Sequence, residues 1–347
     1  MQPTSSGRRR APVMEDVAER AGVSHQTVSR VLNQSPNVSE KTREKVNRAI
    51  AELGYRRNTA ARSLVTRRSQ TIGLLASEMS EYGPSNTLLA VQQAARDAGY
   101  YVSIAGIREV TPATIADALA RFLDQGVDGL VVQVPHAGIL ETLHELDLGV
   151  PVVAIGAAGM NGCSGAMVDQ EAGARSAVQH LVDLGHSRIA HLAGPDGWID
   201  SIARVAGWHG VLSAAGLPDG PLMAGDWTAA SGYSAGLELA KDRTVTAVFA
   251  GNDQMALGLL RALAEAGVRV PGDVSVVGFD DLPEGAYLVP PLTTVRQGFE
   301  ELGRRCIDAL LARIVDGEGA RTEVVAPVLV VRDSTAPRAY GGAAHPG

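Results

Sequence analysis

The sequence predicts a small all-α head followed by a larger α/β body built on two parallel sheets. Three observations predict it. At 347 residues the chain is longer than one compact domain usually is. The first 70 residues carry 14 Lys+Arg against 6 Asp+Glu, a net +8, and the remainder carries 17 against 32, a net −15. Apolar runs of strand length start only after residue 70, and helical segments separate them.

The head is read first. Val13, Val17, Ala18 and Ala21 share one helical face, Gly22 supplies a tight turn, and Ser24 is a natural cap for a second helix reaching Leu32. Val28, Val31 and Leu32 point inward on that helix, which leaves His25, Gln26, Thr27, Ser29 and Arg30 on the opposite face. Those side chains can read base edges in a major groove, Arg and Gln in bidentate fashion. Asn37 to Ser39 offer a break and a cap before a third helix, Glu40 to Leu53, whose Val46, Ala49, Ile50 and Leu53 close a three-helix core. The positive charge alone fits a solvated run as well as a polyanion-binding face. The glycine turn and polar-faced second helix favour DNA.

The body alternates. TIGLLA (71–76) leads to a helix from Leu88 to Ala98, strand YVSIA, a helix from Thr111 to Gln125, and strands GLVVQV and PVVAI. A helix from Glu171 to Leu184, strand RIAHLAG, a helix from Ser201 to Ala215, strand AVFA, a helix from Asp253 to Ala266 and strand VSVVGF follow. Strands this apolar are covered on both faces, as in parallel sheets. Ligands of such folds sit beyond the carboxyl ends of strands, where this chain places Ser77, Pro135 with His136, Asn252 with Asp253, and Asp280 with Asp281. Polar groups without a reactive nucleophile suit a polyhydroxyl ligand.

Composition narrows the class. With 45% hydrophobic and 20% charged residues the chain can bury a core, so disorder of the bulk is excluded. No run of 18 apolar residues occurs, and Arg8, Arg9 and Arg10 have no apolar stretch behind them, so neither a membrane span nor secretion is expected. Cys163 and Cys306 are too few for a disulfide framework or a structural zinc site, which fits a reducing cytoplasm. Gly232-Tyr-Ser234-Ala-Gly236 matches the G-x-S-x-G pattern of a hydrolase, but DWTAAS before it reads as a turn entering a helix and His345 is the only histidine downstream. His180, His186 and His191 straddle a helix, a loop and a strand, so they cannot share one metal-binding face. No phosphate-loop or G-x-G-x-x-G string occurs, so no nucleotide cofactor, and no cofactor of any kind, is expected.

VAERAGVSHQTVSRVLN, followed by VSEKTREKV and ELGYRRN, resembles the head of the LacI/GalR family of bacterial transcription regulators. HLAGP, ARVAGWHG, GDWTAASG, GNDQMALG, VSVVGFDD and PPLTTVRQ extend the resemblance through the body, from Val13 to about Pro337. It implies a two-lobed, periplasmic-binding-protein-like body and no enzymatic activity. It also implies base reading by His25, Gln26 and Arg30, with Ser24, Thr27, Ser29, Asn33, Asn58 and Arg62 completing the DNA-contacting set. NTAARSL (58–64) matches the family's hinge helix, in which Leu64 would wedge into the minor groove. Arg57 stands where the family usually has proline. Sugar hydroxyls would meet Arg204, Asn252 and Asp280, with Ser77, Arg108 and Gln297 nearby and Trp227 packing an apolar sugar face. Gly156 replaces an aspartate that relatives carry, Glu81 replaces an apolar residue, and Trp198 is added. These departures leave the sugar open between a galactoside-like and another glycoside.

The implied organisation is a basic, disordered arm (1–12), a helix-turn-helix domain (13–57), a hinge helix and linker (58–69), an effector-binding and dimerisation domain (70–338) and a flexible tail (339–347). Within the large domain, the N-lobe would take 70–168 and 297–326, and the C-lobe 169–296 and 327–338. The ending TAPRAYGGAAHPG has no heptads, so a dimer is expected rather than a tetramer. The expected partners are double-stranded operator DNA, a small sugar effector and a second copy of the chain. A sugar-binding protein of an uptake system would share the body, but it predicts a signal peptide and no basic head.

Overall fold

The computed structural model describes residues 12–32, 35–55, 68–77, 79–158 and 163–338, apart from the side chains of 137, 140 and 144. The chain divides into two compact units, Met1–Ser69 and Gln70–Gly347. The predicted hinge positions Asn58, Arg62 and Leu64, together with Asn33 and Arg57, lie outside the described residues.

In the first unit α1 (Met14–Ala21), α2 (His25–Leu32) and α3 (Glu40–Leu53) enclose a core of Val17, Ala18, Val28, Val31, Val46, Ala49 and Tyr55. Gly22 ends α1 at φ 64°, a left-handed conformation that a side chain disfavours. Ser24 accepts from the Thr27 N–H at 3.1 Å and Ser39 from the Thr42 N–H at 3.3 Å, so both predicted caps form. Arg20 donates to Glu52 at 2.7 Å, tying α1 to α3.

The second unit holds two parallel sheets. The first contains β1 (Thr71–Ser77), β2 (Tyr101–Ile107), β3 (Gly129–Gln133), β4 (Val152–Ile155), β5 (Ser164–Val168) and β11 (Thr322–Val325), in the order β11-β5-β4-β3-β1-β2. Leu74 pairs with Ile104 on one side and Val131 on the other. One face packs on α4 (Tyr82–Asp97) and α11 (Phe299–Leu311) through Ile72, Leu74, Val91, Ala95, Ile307 and Leu310. The other packs on α5 (Pro112–Asp124) and α6 (Ala137–Glu145) through Leu75, Val132, Leu119, Phe122 and Ile139. Each fully buried Leu, Ile or Phe contributes about 1.5–3 kcal/mol of transfer energy, which is why these strands tolerate so few polar residues.

The second sheet runs β7 (Leu222–Ala224), β6 (Ile189–Ala193), β8 (Ala247–Ala250), β9 (Ser275–Val277). It lies between α7 (Gln170–Asp183) with α8 (Ile199–Ala214) and α9 (Ala229–Leu239) with α10 (Asp253–Glu265). A short antiparallel pair, β10 (Thr294–Arg296) with β12 (Val328–Val330), carries the chain to the segment whose Ser334 carbonyl accepts from Val276 N–H at 2.8 Å.

Two differences from the sequence reading have physical causes. α4 starts at Tyr82 rather than Leu88, because Pro84 falls in the first turn, where no N–H is required. The G-x-S-x-G string lies inside α9, with Ser234 donating to the Ala230 carbonyl at 3.1 Å. Its glycines serve packing: a Cβ on Gly232 would sit 2.1 Å from the Met255 carbonyl oxygen, and one on Gly236 2.6 Å from Ala262 Cβ.

Candidate functional site

On the head, α2 presents His25, Gln26 and Arg30 to solvent, with Thr27 and Ser29 half-buried. The Ser24 hydroxyl is committed to the Thr27 hydroxyl at 2.9 Å as well as to the cap, so it shapes the helix start more than it offers a free contact. His25, Gln26 and Arg30 thus form one polar helix face with hydrogen-bonding heads exposed, as base reading requires.

In the body, strand ends of both sheets converge on two small adjoining cavities. Arg204, Trp227, Asn252, Asp280 and Gln297 of the predicted set line the smaller one. Ser77 ends β1 fully buried and Arg108 stands exposed on the turn after β2; neither lines these cavities.

Arg204 organises the site from the second turn of α8. Its Nε and Nη2 both donate to Gln170 Oε1, at 3.0 and 2.9 Å, and its Nη1 donates to the Gly251 carbonyl. The guanidinium lies 3.9 Å from the Phe279 ring centroid and 5.3 Å from that of Trp227. Asp200 and Asp280 approach Nη2 at 3.8 and 3.9 Å. Gln297 donates to Asp280 at 2.6 Å and accepts from Gln170 at 2.8 Å, closing a buried ring of polar groups. Asn252 caps α10 by accepting from the Met255 N–H at 2.8 Å and donates to the Trp227 carbonyl at 3.0 Å.

The backbone is strained where these groups meet. Trp227 has φ 70°, Asp280 φ 112° and Asp281 φ 55°, left-handed values that ordinary residues adopt at a cost of about 1–3 kcal/mol each. Such strain persists where the surroundings over-determine it. Asp281 is fixed by Arg296 and Arg332, each at 2.6 Å, and takes a structural role beside Asp280.

Burial sets the protonation of the site. It pushes the Asp280 carboxyl up to about 6, against the opposing pull of Arg204 and the Gln297 hydrogen bond. Asp253 behind it rises to about 8, from burial first and the neighbouring Asp280 second, although Thr294 and the Leu282 N–H both donate to it. Burial lowers His191 to about 4 and Arg204 adds to this, so the imidazole stacked on Phe249 is neutral. His180 instead meets the Thr335 hydroxyl, and His186 meets Thr246 and Ser275. No group of three possible metal ligands occurs among the described residues.

Two buried atoms of cavity-lining residues have no hydrogen-bond partner: the Trp227 indole N–H, a donor, and Gln133 Oε1, an acceptor. Around them stand residues absent from the predicted set. Trp198 lines both cavities, edge-on to Trp227 at 5.6 Å and to His136 at 5.3 Å. Asp200 also lines both, and Tyr82, whose hydroxyl pKa is raised by burial and then by Asp280, lines the smaller. Asp200 was detectable in sequence, since it stands four residues before Arg204 on the same helix face. Gln170 follows β5, a strand whose small residues hid it.

A bacterial regulatory protein model of the lacI family matches residues 13–58, and a periplasmic binding protein-like domain model matches 178–335. The lactose operon repressor of Escherichia coli (strain K12) is 37% identical over 322 residues, 92% of this chain and 89% of that protein. The solved lac repressor dimer bound to operator and the anti-inducer ONPF superimposes with a TM-score of 0.84 at 36% identity, over 94% of this chain and all of that one. A solved complex of the transcriptional regulator CelR with cellobiose gives 0.69 at 36%, over 93% of this chain and 99% of that one.

Proposed function

The chain belongs to the LacI family of bacterial regulatory proteins, and on that premise we propose that it is a sugar-responsive transcriptional repressor of carbohydrate-utilisation genes, released from a pseudo-palindromic operator when a glycoside fills the cleft. Relatives bound to operator as a dimer and to cellobiose support both halves of this reading. The observation that carries it is the cleft itself. An unpartnered indole donor and an unpartnered amide acceptor stand beside two tryptophans, around a fixed ring of Arg204, Gln170, Gln297 and Asp280. Hydroxyls both donate and accept, and the apolar face of a sugar ring stacks on indole, so a glycoside satisfies each group.

Operator recognition is assigned to His25, Gln26 and Arg30 of α2, with Asn33, Asn58, Arg62 and Leu64 as further contacts. Two copies of α2 must enter successive major-groove faces, so a dimer fits a two-fold operator. The effector acts only through unequal affinity for the two lobe arrangements, with each tenfold change in operator binding requiring about 1.4 kcal/mol. No helix among the described residues is long and apolar enough to cross a membrane.

The test is fluorescence anisotropy on DNA upstream of the protein's own coding region, at two salt concentrations, with and without galactosides, glucosides and xylosides. Tight, salt-sensitive binding released by one glycoside is the expected result. Binding that every sugar leaves unchanged would refute the effector half, and failure to bind any palindrome would refute the DNA half.

A further inference from the structure

We infer that the cleft takes only saccharides that carry no phosphate group, and that Asp200 sets this discrimination; this rests on the glycoside reading above and narrows its chemical class.

The first ground is charge. Glu81, Asp200 and Asp280 line the smaller cavity, and Arg204 is the one Lys or Arg among its described lining residues. That guanidinium is already engaged on every side, by Gln170, the Gly251 carbonyl, the Phe279 ring and the two aspartates. A phosphate entering the cleft would have to break a buried network to reach it, while facing three carboxylates.

The second ground is the helix termini. The first turns of α4, α7 and α8 and the N-cap of α10 contribute cavity-lining residues, and a helix N-terminus is ordinarily a ready anion site. Here three of the four carry a carboxylate at the cap or in the first turn. Asp169 accepts from the Ala172 N–H at 2.9 Å on α7, Glu81 stands at the N-cap position of α4 without a side-chain cap bond, Asp200 lies in the first turn of α8, and Asn252 caps α10 from the Met255 N–H. The N-termini of α7 and α10 are thus already occupied by side chains of the chain itself, and a carboxylate stands near those of α4 and α8. What the cleft leaves unpartnered is neutral: the Trp227 N–H and Gln133 Oε1.

Among the carboxylates Asp200 is singled out by position. Glu81 and Asp280 line the smaller cavity alone, but Asp200 lines both. Its side chain is 35% accessible, against 5% for Asp280, so it is the more open of the two to an incoming anion, although partial burial raises its carboxyl pKa against the pull of Arg204. The effector must therefore be supplied by a step that leaves it unphosphorylated, either transport of the intact sugar or hydrolysis of a larger glycan, and not by uptake coupled to phosphorylation.

The experiment is a tryptophan-fluorescence titration of the full chain with cellobiose, lactose and their 6-phosphates, on wild type, Asp200→Asn and Asp200→Ser. The expected result is at least about 100-fold tighter binding of a free sugar than of its phosphate, and a ratio at least about tenfold smaller in a folded Asp200 variant. Equal binding of the phosphate by wild type would overturn the exclusion and leave the glycoside reading standing. A ratio unchanged in both variants would overturn the role of Asp200. No response to any of these sugars or to the operator-releasing panel would overturn the glycoside reading, and this inference with it.

Discussion

The two sheets of the body share a parallel topology but differ in what they bury. On the six-stranded side the buried polar residues Ser77, Thr87, Gln133, Thr142 and Ser164 are uncharged, and the site they border is walled by backbone, proline and glycine. The four-stranded side buries Arg204, Asp253, Asp280, His186 and His191. It also holds the left-handed residues Trp227, Asp280 and Asp281. One lobe is therefore a preorganised electrostatic frame, and the other a wall whose buried polar groups are uncharged, with Glu81 as its one acidic residue at the smaller cavity. Ligand orientation is set on the charged side, where polar groups are held before any ligand arrives.

The comparison breaks most directly at Arg204. Arg204→Ala leaves Asp280, Asp200 and Gln170 without their shared partner, and removal of one member of a buried pair costs about 3–5 kcal/mol. Sugar affinity should fall more than about 100-fold while operator binding survives. A mutant that still responds to sugar would show that the frame is not electrostatic. Trp227→Ala should lower the unfolding free energy in urea by about 3–5 kcal/mol, since the ring is nearly fully buried.

Acidity sharpens the contrast. Asp253 and Asp280 titrate at about 8 and about 6 in the folded chain, above the ordinary value of 3.8. The native state thus holds protons that the unfolded chain has released, so these groups favour folding at low pH, and that contribution is lost as pH rises from about 4 to about 8. The denaturation midpoint should fall between pH 5 and pH 8, and Asp253→Asn should flatten the upper part of that fall. A slope untouched by the substitution would relocate the effect. On the opposite wall, Gln133→Ala should weaken sugar binding by about 0.5–1.5 kcal/mol, the net worth of one hydrogen bond. Arg121→Ala removes only an exposed ion pair to Asp117 and should change stability by less than about 0.5 kcal/mol, with sugar binding unaltered.

Much of this asymmetry was legible in sequence. Asn252 and Asp280 follow strands whose apolar runs are unambiguous, and Gly22 and Ser24 mark the start of α2 through backbone chemistry that is wholly local. What escaped depends on chain segments distant in sequence. Trp198 stands out in sequence as an addition, but that it lines both cavities depends on where α8 starts relative to strands far away in sequence, whereas Asp200 is detectable from its spacing to Arg204. β5 reads SGAMV and so lacks the β-branched run that announces a strand, which hid Gln170 as well. Arg108 shows the converse: its position after a strand marked it, but β2 is the edge of its sheet and the following turn faces solvent.

The late strand of the first sheet has a consequence for synthesis. β11 completes the edge of the first sheet, so residues 322–325 finish a structure whose other strands are made long before. As the chain leaves the ribosome, β5 waits with an open hydrogen-bonding edge while the whole second sheet is translated. An unpaired edge is a template for pairing with a neighbouring chain. The nascent protein is most exposed to aggregation in that interval, and a chain interrupted before Thr322 would carry the exposure permanently.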